Sequence, residues 1–276
     1  MTVRQGFTVE HGSDPPSSFA FAVEHGFDYV ELNMDHQFDR ARVDPDTVRE
    51  LADRHGLDLC VHLPYHLDVG TPQEHVREGS CRELEAGIDA AVEMGAEKGV
   101  FHADTRVRAD KWDRETVREC LRDSVERVVG YARDRGFEAV VENARSPFFD
   151  ASDFPDLFDR TAATACLDTG HAHVTGTTLA EQADLIREHG DRVSHVHLND
   201  TRIDETDEHL PVGVGKLDFG ALADAMVETG WSGTCTHEVY TPSHEPRAFG
   251  KGAFDRLLER RDGARANGTT ARTRRR

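Results

Sequence analysis

Residues 136–143 read GFEAVVEN, a short apolar run that ends in a glutamate and an asparagine. Two other stretches repeat this pattern, GLDLCVHL at 56–63 and RVSHVHLND at 192–200. Apolar runs of this kind, rich in β-branched residues, are typical of parallel strands that helices cover. In each stretch a polar side chain stands at the carboxyl end of the run, which is where parallel α/β folds place their functional groups.

Short apolar runs alternate with longer amphipathic segments along the rest of the chain. The pattern predicts eight strands, at 6–9, 29–33, 59–63, 99–102, 139–142, 165–168, 193–198 and 234–239. It predicts helices at 17–25, 45–55, 73–94, 114–135, 153–160, 179–189, 218–228 and 248–261. Eight strand–helix units over about 250 residues match a TIM (β/α)8 barrel. An open doubly wound sheet uses the same units, but no GxGxxG follows the first strand, which favours the closed barrel.

We therefore predict an α/β protein with one domain, a TIM barrel over residues 1–262. Residues 263–276 read GARANGTTARTRRR, without apolar periodicity, and this composition predicts a disordered basic tail. The five cysteines form no CxxC pair, so we expect buried, reduced thiols rather than disulfides or a cysteine metal site.

The chain has 52 acidic and 33 basic residues and a formal net charge of −19. This charge disfavours partners that need a diffuse positive surface, such as nonspecific nucleic acid or an anionic membrane. An acidic excess with few lysines is also typical of halophilic proteins, in which salt screens the self-repulsion. No apolar run approaches the ~20 residues of a membrane span, and the N-terminus lacks the pattern of a signal peptide. The sequence thus predicts a soluble cytoplasmic protein.

Side chains of metal-ligand or acid–base type stand at the carboxyl ends of six predicted strands. They are His62, His102, Glu142, Asp168 with His171 just after it, His197 and Glu238, and a later loop adds Asp207 and His209. Singly, each has an ordinary explanation as a core histidine, a helix cap or a solvated loop residue. The set as a whole has no such ordinary explanation. Burying an unpaired carboxylate costs several kcal/mol, and three of these strands end in a carboxylate.

Lysine cannot neutralise these carboxylates, because none of the four lysines lies in the predicted strands and the arginines fall mainly on predicted helices. A divalent cation can, and the imidazoles on predicted strands three, four and seven suit zinc or manganese. The residues leave one alternative open, a hydrogen-bonded polar network without metal.

Seven short motifs follow one another along the chain: His-x-Pro-Tyr, Phe-His, Val-Glu-Asn, Leu-Asp-Thr-Gly-His, His-x-His-Leu-Asn-Asp, Asp-x-His-Leu-Pro-x-Gly-x-Gly and His-Glu. Their order resembles that of the xylose isomerase-like TIM barrel superfamily. The similarity spans residues 6 to about 255. That superfamily contains sugar or sugar-phosphate isomerases and epimerases, and also the endonuclease IV family of abasic-site nucleases (AP endonuclease family 2). The resemblance implies bound divalent metal, one ion in the sugar enzymes and three zinc ions in the nucleases.

The ligands follow from the same resemblance. The single-metal ligands of the sugar enzymes match Glu142, Asp168, His197 and Glu238. The nine zinc ligands of endonuclease IV match His62, His102, Glu142, Asp168, His171, His197, Asp207, His209 and Glu238.

Neighbouring residues depart from the nuclease pattern. Asn143-Ala144-Arg145-Ser146 stands where the nucleases have Asn-Thr-x-Gly, and Ala103-Asp104-Thr105 replaces Pro-Gly-Ser. His66 follows Tyr65, where the nucleases have an apolar residue. The loops near the strand ends are also acidic, which is unfavourable for duplex DNA.

These departures favour a metal-dependent sugar or sugar-phosphate isomerase or epimerase. Glu142 and Glu238 are then the catalytic pair that moves a proton next to a carbonyl, and His171, Tyr65 and Arg145 contact the small-molecule substrate. Two alternatives stay open. One is a zinc-dependent endonuclease IV-type enzyme that cleaves DNA at abasic sites. The other is a metal-binding barrel that binds a ligand without catalysis. The sequence leaves the oligomeric state open.

Overall fold

Eight parallel strands form a closed barrel in the computed structural model, which describes residues 3–273 and the side chains of residues 3–260. The strands are β1 (Arg4–Val9), β2 (Tyr29–Asn33), β3 (Asp58–His62), β4 (Lys98–His102), β5 (Glu138–Glu142), β6 (Thr164–Asp168), β7 (Val193–Leu198) and β8 (Thr234–His237). The barrel closes where β1 pairs with β8, with Gly6 opposite Thr236. The predicted TIM barrel is confirmed.

Helices follow the strands around the barrel. They are α1 (Pro15–Glu24), α2 (Pro45–His55), α3 (Glu74–Met94), α4 (Arg114–Arg133), α5 (Phe154–Arg160), α6 (Thr169–Val174), α7 (Leu179–His189), α8 (Phe219–Thr229) and α9 (Glu245–Thr273). The pattern predicted all of these except α6, a six-residue helix directly after β6. The backbone of residues 263–273, assigned above to a disordered tail, continues α9, whereas residues 274–276 lie outside the described residues.

The barrel interior has layers, because alternate residues of a strand share a face. Val100, Val140 and Cys166 form a small buried cluster on β4, β5 and β6. Two residues further along the same strands come His102, Glu142 and Asp168, at the carboxyl ends. Strand pairing sets His102 opposite Glu142, and Asp168 opposite His197 on β7. The fold therefore brings the polar strand ends to one level.

Lys98 lies in a strand, contrary to the prediction that no lysine does, because β4 begins at this residue. Its Nζ donates to the carbonyl oxygen of Ser194 at 2.9 Å and to Thr234 Oγ1 at 3.2 Å. Both partners lie at the amino ends of their strands. The lysine is therefore at the other end of the barrel and cannot neutralise the carboxylates at the strand carboxyl ends.

All five cysteines are free thiols, as predicted, and four of them are buried. Among residues 3–273, no helix combines the length and the apolar composition that a membrane crossing requires.

Candidate metal centre

His62, His102 and Glu142 form a first group of side chains, on β3, β4 and β5. The Nε2 atoms of His62 and His102 lie 3.2 Å and 2.9 Å from Glu142 Oε2. The Nδ1 atom of His62 lies 2.9 Å from the carbonyl oxygen of Leu63. That contact orients the ring and leaves Nε2 to face the carboxylate.

His171, Asp207 and His209 form a second group, on α6 and on the loop after β7. Asp168 caps α6: its Oδ1 accepts the backbone N–H of His171 at 2.6 Å, which sets the position of this histidine. The Nε2 atoms of His171 and His209 lie 3.3 Å and 2.8 Å from Asp207 Oδ2. Gly170 permits this arrangement, because a Cβ there would collide with the Asp207 carboxylate.

Asp200 anchors the loop that carries Asp207 and His209. Its carboxylate accepts backbone N–H bonds of 2.8–3.1 Å from four loop residues, Thr201, Gly213, Gly215 and Leu217. Its backbone also pairs with Leu210. His209 has a left-handed backbone with φ 48°, which is uncommon outside glycine, and its ring stacks on Tyr240 at 3.9 Å. The loop thus holds its two ligand-type residues in a defined position.

A third group joins β5, β6, β7 and the residue after β8. Its members are Glu142, Asp168, His197 and Glu238. His197 Nδ1 lies 3.3 Å from Glu142 Oε1, and 3.8 Å and 3.3 Å from Asp168 Oδ2 and Glu238 Oε2. Glu142 therefore faces the first group with one oxygen and the third group with the other. All nine predicted ligands lie in these three groups, each with donor atoms within 4.8 Å of one another.

The donor atoms of the three groups fit divalent cations. Ligands about 2.0–2.1 Å from a tetrahedral zinc ion lie about 3.4 Å apart, close to the N–O separations of 2.8–3.8 Å found here. Six buried donor atoms of the three groups have no hydrogen-bond partner among the side chains that the structure describes: both ring nitrogens of His197, both oxygens of Asp207, His209 Nδ1 and Glu238 Oε2. Atoms that converge without bonding one another are suited to a shared cation, and nitrogen with carboxylate oxygen suits zinc or manganese.

Among residues 3–260, the four carboxylates of this centre form ion pairs with imidazoles and with no lysine or arginine. Burial alone would lower the pKa of His62, His171 and His209, but the carboxylates outweigh burial and raise it to about 9, 10 and 9. Burial raises the pKa of Asp168 to about 7. Without metal the centre therefore retains protons, which a bound cation would displace.

A groove of about 450 Å³ opens at the barrel mouth. Its lining is Glu10, Asn33, Tyr65, Tyr240, Thr241 and Pro242, and these residues include no lysine or arginine. The Tyr65 ring lies 5.8 Å and 5.9 Å from the rings of His62 and His102, so the groove borders the first group. Of the other residues predicted to contact substrate, Arg145 is exposed on the loop after β5 and His171 belongs to the second group.

Sequence patterns did not indicate Glu31, His195 or Glu10. Glu31 and His195 are fully buried inside the barrel, and their side chains meet at 3.0 Å. The alternation of strand residues could have indicated both, since His195 shares a face with His197, and Glu31 with Asn33. Glu10 follows β1 and lines the groove, in a position that only the closed barrel reveals.

Comparison with protein families matches residues 19–258 to the xylose isomerase-like TIM barrel family. The chain belongs to this family. Among curated relatives of this xylose isomerase-like barrel is the "Probable endonuclease 4" of Mycobacterium leprae (strain Br4923). It is 30% identical over 198 residues, which cover 68% of this chain and 75% of the relative.

Solved structures of other proteins share the barrel. A D-tagatose 3-epimerase-like protein superposes with a TM-score of 0.81 at 22% identity, over 95% of this chain and 99% of its own. The TTHB071 protein of Thermus thermophilus, in crystals soaked with ZnCl2, gives a TM-score of 0.68 at 25% identity, over 92% and 98%. Of these three proteins, the curated relative is named a probable endonuclease, one solved structure is named epimerase-like, and the likeness to that structure shows the fold alone.

Proposed function

We propose that this chain is a metal-dependent hydrolase of phosphate esters, with up to three divalent ions held around Glu142. The surroundings of Glu142 carry the proposal. Its Oε2 faces His62 and His102, and its Oε1 lies 3.4 Å and 3.3 Å from the Nδ1 atoms of His171 and His197. Glu142 would then be a ligand shared between the first and third groups, with one oxygen facing each.

The same surroundings place the isomerase mechanism second. A carboxylate that removes a proton from carbon needs a free oxygen beside the substrate, and Glu142 has imidazoles at both oxygens. A single ion held by Glu142, Asp168, His197 and Glu238 also leaves five buried or half-buried ligand-type residues without a role. These are His62, His102, His171, Asp207 and His209.

Charge balance points the same way. Four buried carboxylates exceed the charge of one divalent ion, whereas three divalent ions exceed the carboxylates and leave a positive centre that attracts an anionic phosphate. When bound, divalent ions in such a centre polarise a phosphoryl oxygen and lower the pKa of the attacking water. Glu238 is oriented by the Tyr240 hydroxyl, which donates to its Oε1 at 3.0 Å. Arg145, exposed on the loop after β5, supplies a guanidinium for a phosphate oxygen.

Duplex DNA with an abasic site is the first substrate to test, because the curated relative in Mycobacterium leprae is named an endonuclease. The net charge of −19 weakens the attraction of the folded chain for DNA. A small phosphodiester is therefore the necessary second substrate, since it needs the metal centre but no extended DNA-binding surface.

A sugar isomerase or epimerase is the second candidate, and the groove at the mouth favours it. Its carboxylate, amide and hydroxyl groups, from Glu10, Asn33, Tyr65 and Tyr240, suit the hydroxyls of an unphosphorylated sugar. In that case Glu238 would exchange the proton with the substrate. The epimerase-like solved structures support this barrel for such substrates, at the level of the fold.

One preparation tests the candidates. Metal-replete protein at high salt is assayed on an abasic-site duplex, on bis(4-nitrophenyl) phosphate and on panels of ketoses and sugar phosphates, while bound metal is counted. Phosphodiester cleavage with about three ions per chain, lost in Glu142→Gln and kept in Glu138→Gln, supports the hydrolase. Sugar conversion with one ion supports the epimerase. Metal binding with neither activity supports a ligand-binding barrel and contradicts both enzymes.

A further inference from the structure

Glu31 lies in the barrel interior, one layer below the third group. It is the middle residue of β2, and its side chain is fully buried. Its Oε1 lies 3.2 Å from Nε2 of His197, while the Nδ1 of the same ring faces the three carboxylates of the third group. The His197 ring therefore stands between Glu31 below and the candidate metal position above.

A chain of hydrogen bonds holds the other oxygen of Glu31. Thr236 Oγ1 donates to Oε2 at 2.6 Å and itself lies 2.9 Å from the Tyr29 hydroxyl. His195 Nε2 lies 3.0 Å from the same oxygen, and its Nδ1 lies 2.6 Å from Thr234 Oγ1. These bonds leave Oε1 facing His197, whose Nε2 lies at ion-pair distance, and Oε1 has no hydrogen-bond partner within residues 3–260.

Neutral imidazole carries one proton, and the partner of one ring nitrogen decides which nitrogen keeps its lone pair. A carboxylate beside Nε2 favours the proton there, and Nδ1 then presents its lone pair to a cation. Partners of this kind orient ligand histidines in metal sites generally, and their removal weakens metal affinity about 10–100-fold.

We propose that Glu31 is a positioning residue for His197, which fixes the ring and the tautomer that turn Nδ1 toward the metal of the third group. Within residues 3–260, Glu31 forms hydrogen bonds or ion pairs with His195, His197 and Thr236 and with no residue of the other two groups. This role of Glu31 rests on the proposed metal centre. The experiment that tests it measures metal binding and not turnover, so failure of the Glu31 proposal and absence of phosphodiesterase activity are separate results.

Glu31→Gln tests this role, with Glu138→Gln as matched control. Glu138 is a carboxylate at the amino end of the barrel that accepts hydroxyl bonds from Ser194 and Thr164, at 2.6 Å and 2.9 Å. Competition with a chelator measures zinc affinity, and cobalt substitution reports ligand geometry through the visible d–d bands. We expect Glu31→Gln to bind one ion about 10–100-fold more weakly and to shift the cobalt bands, and Glu138→Gln to change neither.

A second variant covers the case in which Glu31→Gln does not fold. Thr236→Val removes the hydroxyl that holds Glu31 Oε2 and keeps the side-chain shape, so we expect zinc affinity to fall about 2–10-fold. Wild-type zinc affinity and an unchanged cobalt spectrum in the folded variants would overturn the proposal.

A metal ion bound by Cys166 would also contradict the proposed role of Glu31. Its sulfur, His195 and His197 also have donor atoms within 4.8 Å of one another. A sulfur-to-cobalt charge-transfer band that disappears in Cys166→Ser, and not in Cys235→Ser, would place an ion in this lower layer. Glu31 would then be a neighbour of that ion and not a positioning residue for the third group.

Discussion

The two ends of the barrel both bury charged side chains, but they satisfy them differently. At the amino end, Lys98 Nζ lies 3.2 Å from Glu138 Oε2 and also bonds Ser194 and Thr234. At the carboxyl end, four carboxylates face imidazoles, and atoms of His197 and Asp207 have no hydrogen-bond partner within residues 3–260. The charged groups at the amino end are paired within the chain, whereas the carboxylates at the carboxyl end face imidazoles, an arrangement that suits an added cation.

This difference separates stability from function within one fold. In TIM barrels the carboxyl ends of the strands carry the active site and the amino ends contribute to stability. We therefore expect variants at the amino end to change the free energy of unfolding with and without metal, and variants at the carboxyl end to act mainly on the metal-loaded protein.

The largest effect is expected for Glu142→Gln. Loss of the shared carboxylate removes a ligand from two groups, so bound metal should fall from about three ions to one or fewer. Phosphodiester turnover should fall at least about 10³-fold, because several kcal/mol of transition-state stabilisation depend on the metals. Metal analysis and steady-state kinetics measure both. Turnover within tenfold of wild type would show that Glu142 is not a bridging ligand.

Metal removal should have the next largest effect. Each tightly bound ion stabilises the fold by about 2.7 kcal/mol at a free concentration 100 times its Kd. Thermal unfolding should therefore occur at clearly lower temperature in chelator than in zinc. Lys98→Met sharpens the comparison, since it should cost about 1–3 kcal/mol equally in both conditions. If the chelator left Tm unchanged, the two ends of the barrel would not differ in how their stability depends on metal.

The stability of the metal-free protein should depend on pH in a defined direction. The folded pKa values of His62, His171 and His209, about 9, 10 and 9, exceed the unfolded value of about 6.5. Their stabilising contribution is complete below about pH 6.5 and is lost as pH rises through 9–10. Asp168, with its pKa raised to about 7 from an unfolded value of about 3.9, loses its contribution earlier, between about pH 4 and 7.

Denaturant unfolding between pH 6.5 and 10 measures this trend. We expect the free energy of unfolding of the metal-free protein to decrease with pH, and His62→Gln to reduce the slope. The metal-loaded protein should lack this decrease, because the cations replace the protons. A metal-free protein that becomes more stable toward pH 10 would contradict the ionisation described for the carboxyl end.

The smallest effect is expected for Tyr240→Phe. The change removes the hydroxyl that donates to Glu238 Oε1 and keeps the ring that stacks on His209. A lost hydrogen bond of this kind corresponds to about 1 kcal/mol, so turnover should fall about 2–10-fold with unchanged metal content. Loss of an ion in this variant would instead make the tyrosine part of the metal-binding structure.

Much of this architecture was predictable, because the apolar pattern of each strand and the alternation of strands with helices can be read from short stretches of sequence. The eight strands lie within two residues of their predicted bounds, and the nine ligand-type residues come together at the predicted end of the barrel. The ligand roles came from a family resemblance and remain predictions. Strand periodicity determines which residues reach the mouth, but not which atoms meet there.

Three features were missed by the sequence patterns. Helix α6 is too short for a periodic signal and exists because Asp168 caps it. The layer below the centre, with Glu31 and His195, forms only when distant strands close into a barrel. The imidazoles around both oxygens of Glu142 likewise appear only in three dimensions, and the proposal of phosphate-ester hydrolysis rests on them.

The number of tightly held divalent ions per chain tests the central claim most directly. Elemental mass spectrometry of zinc-loaded, gel-filtered protein measures it, with Glu142→Gln and Glu138→Gln in parallel. Three groups of donor atoms, two of which share Glu142, predict about three ions in wild type and Glu138→Gln, and one or fewer in Glu142→Gln. One ion or none in the wild-type protein, with the fold intact, would contradict the multinuclear centre.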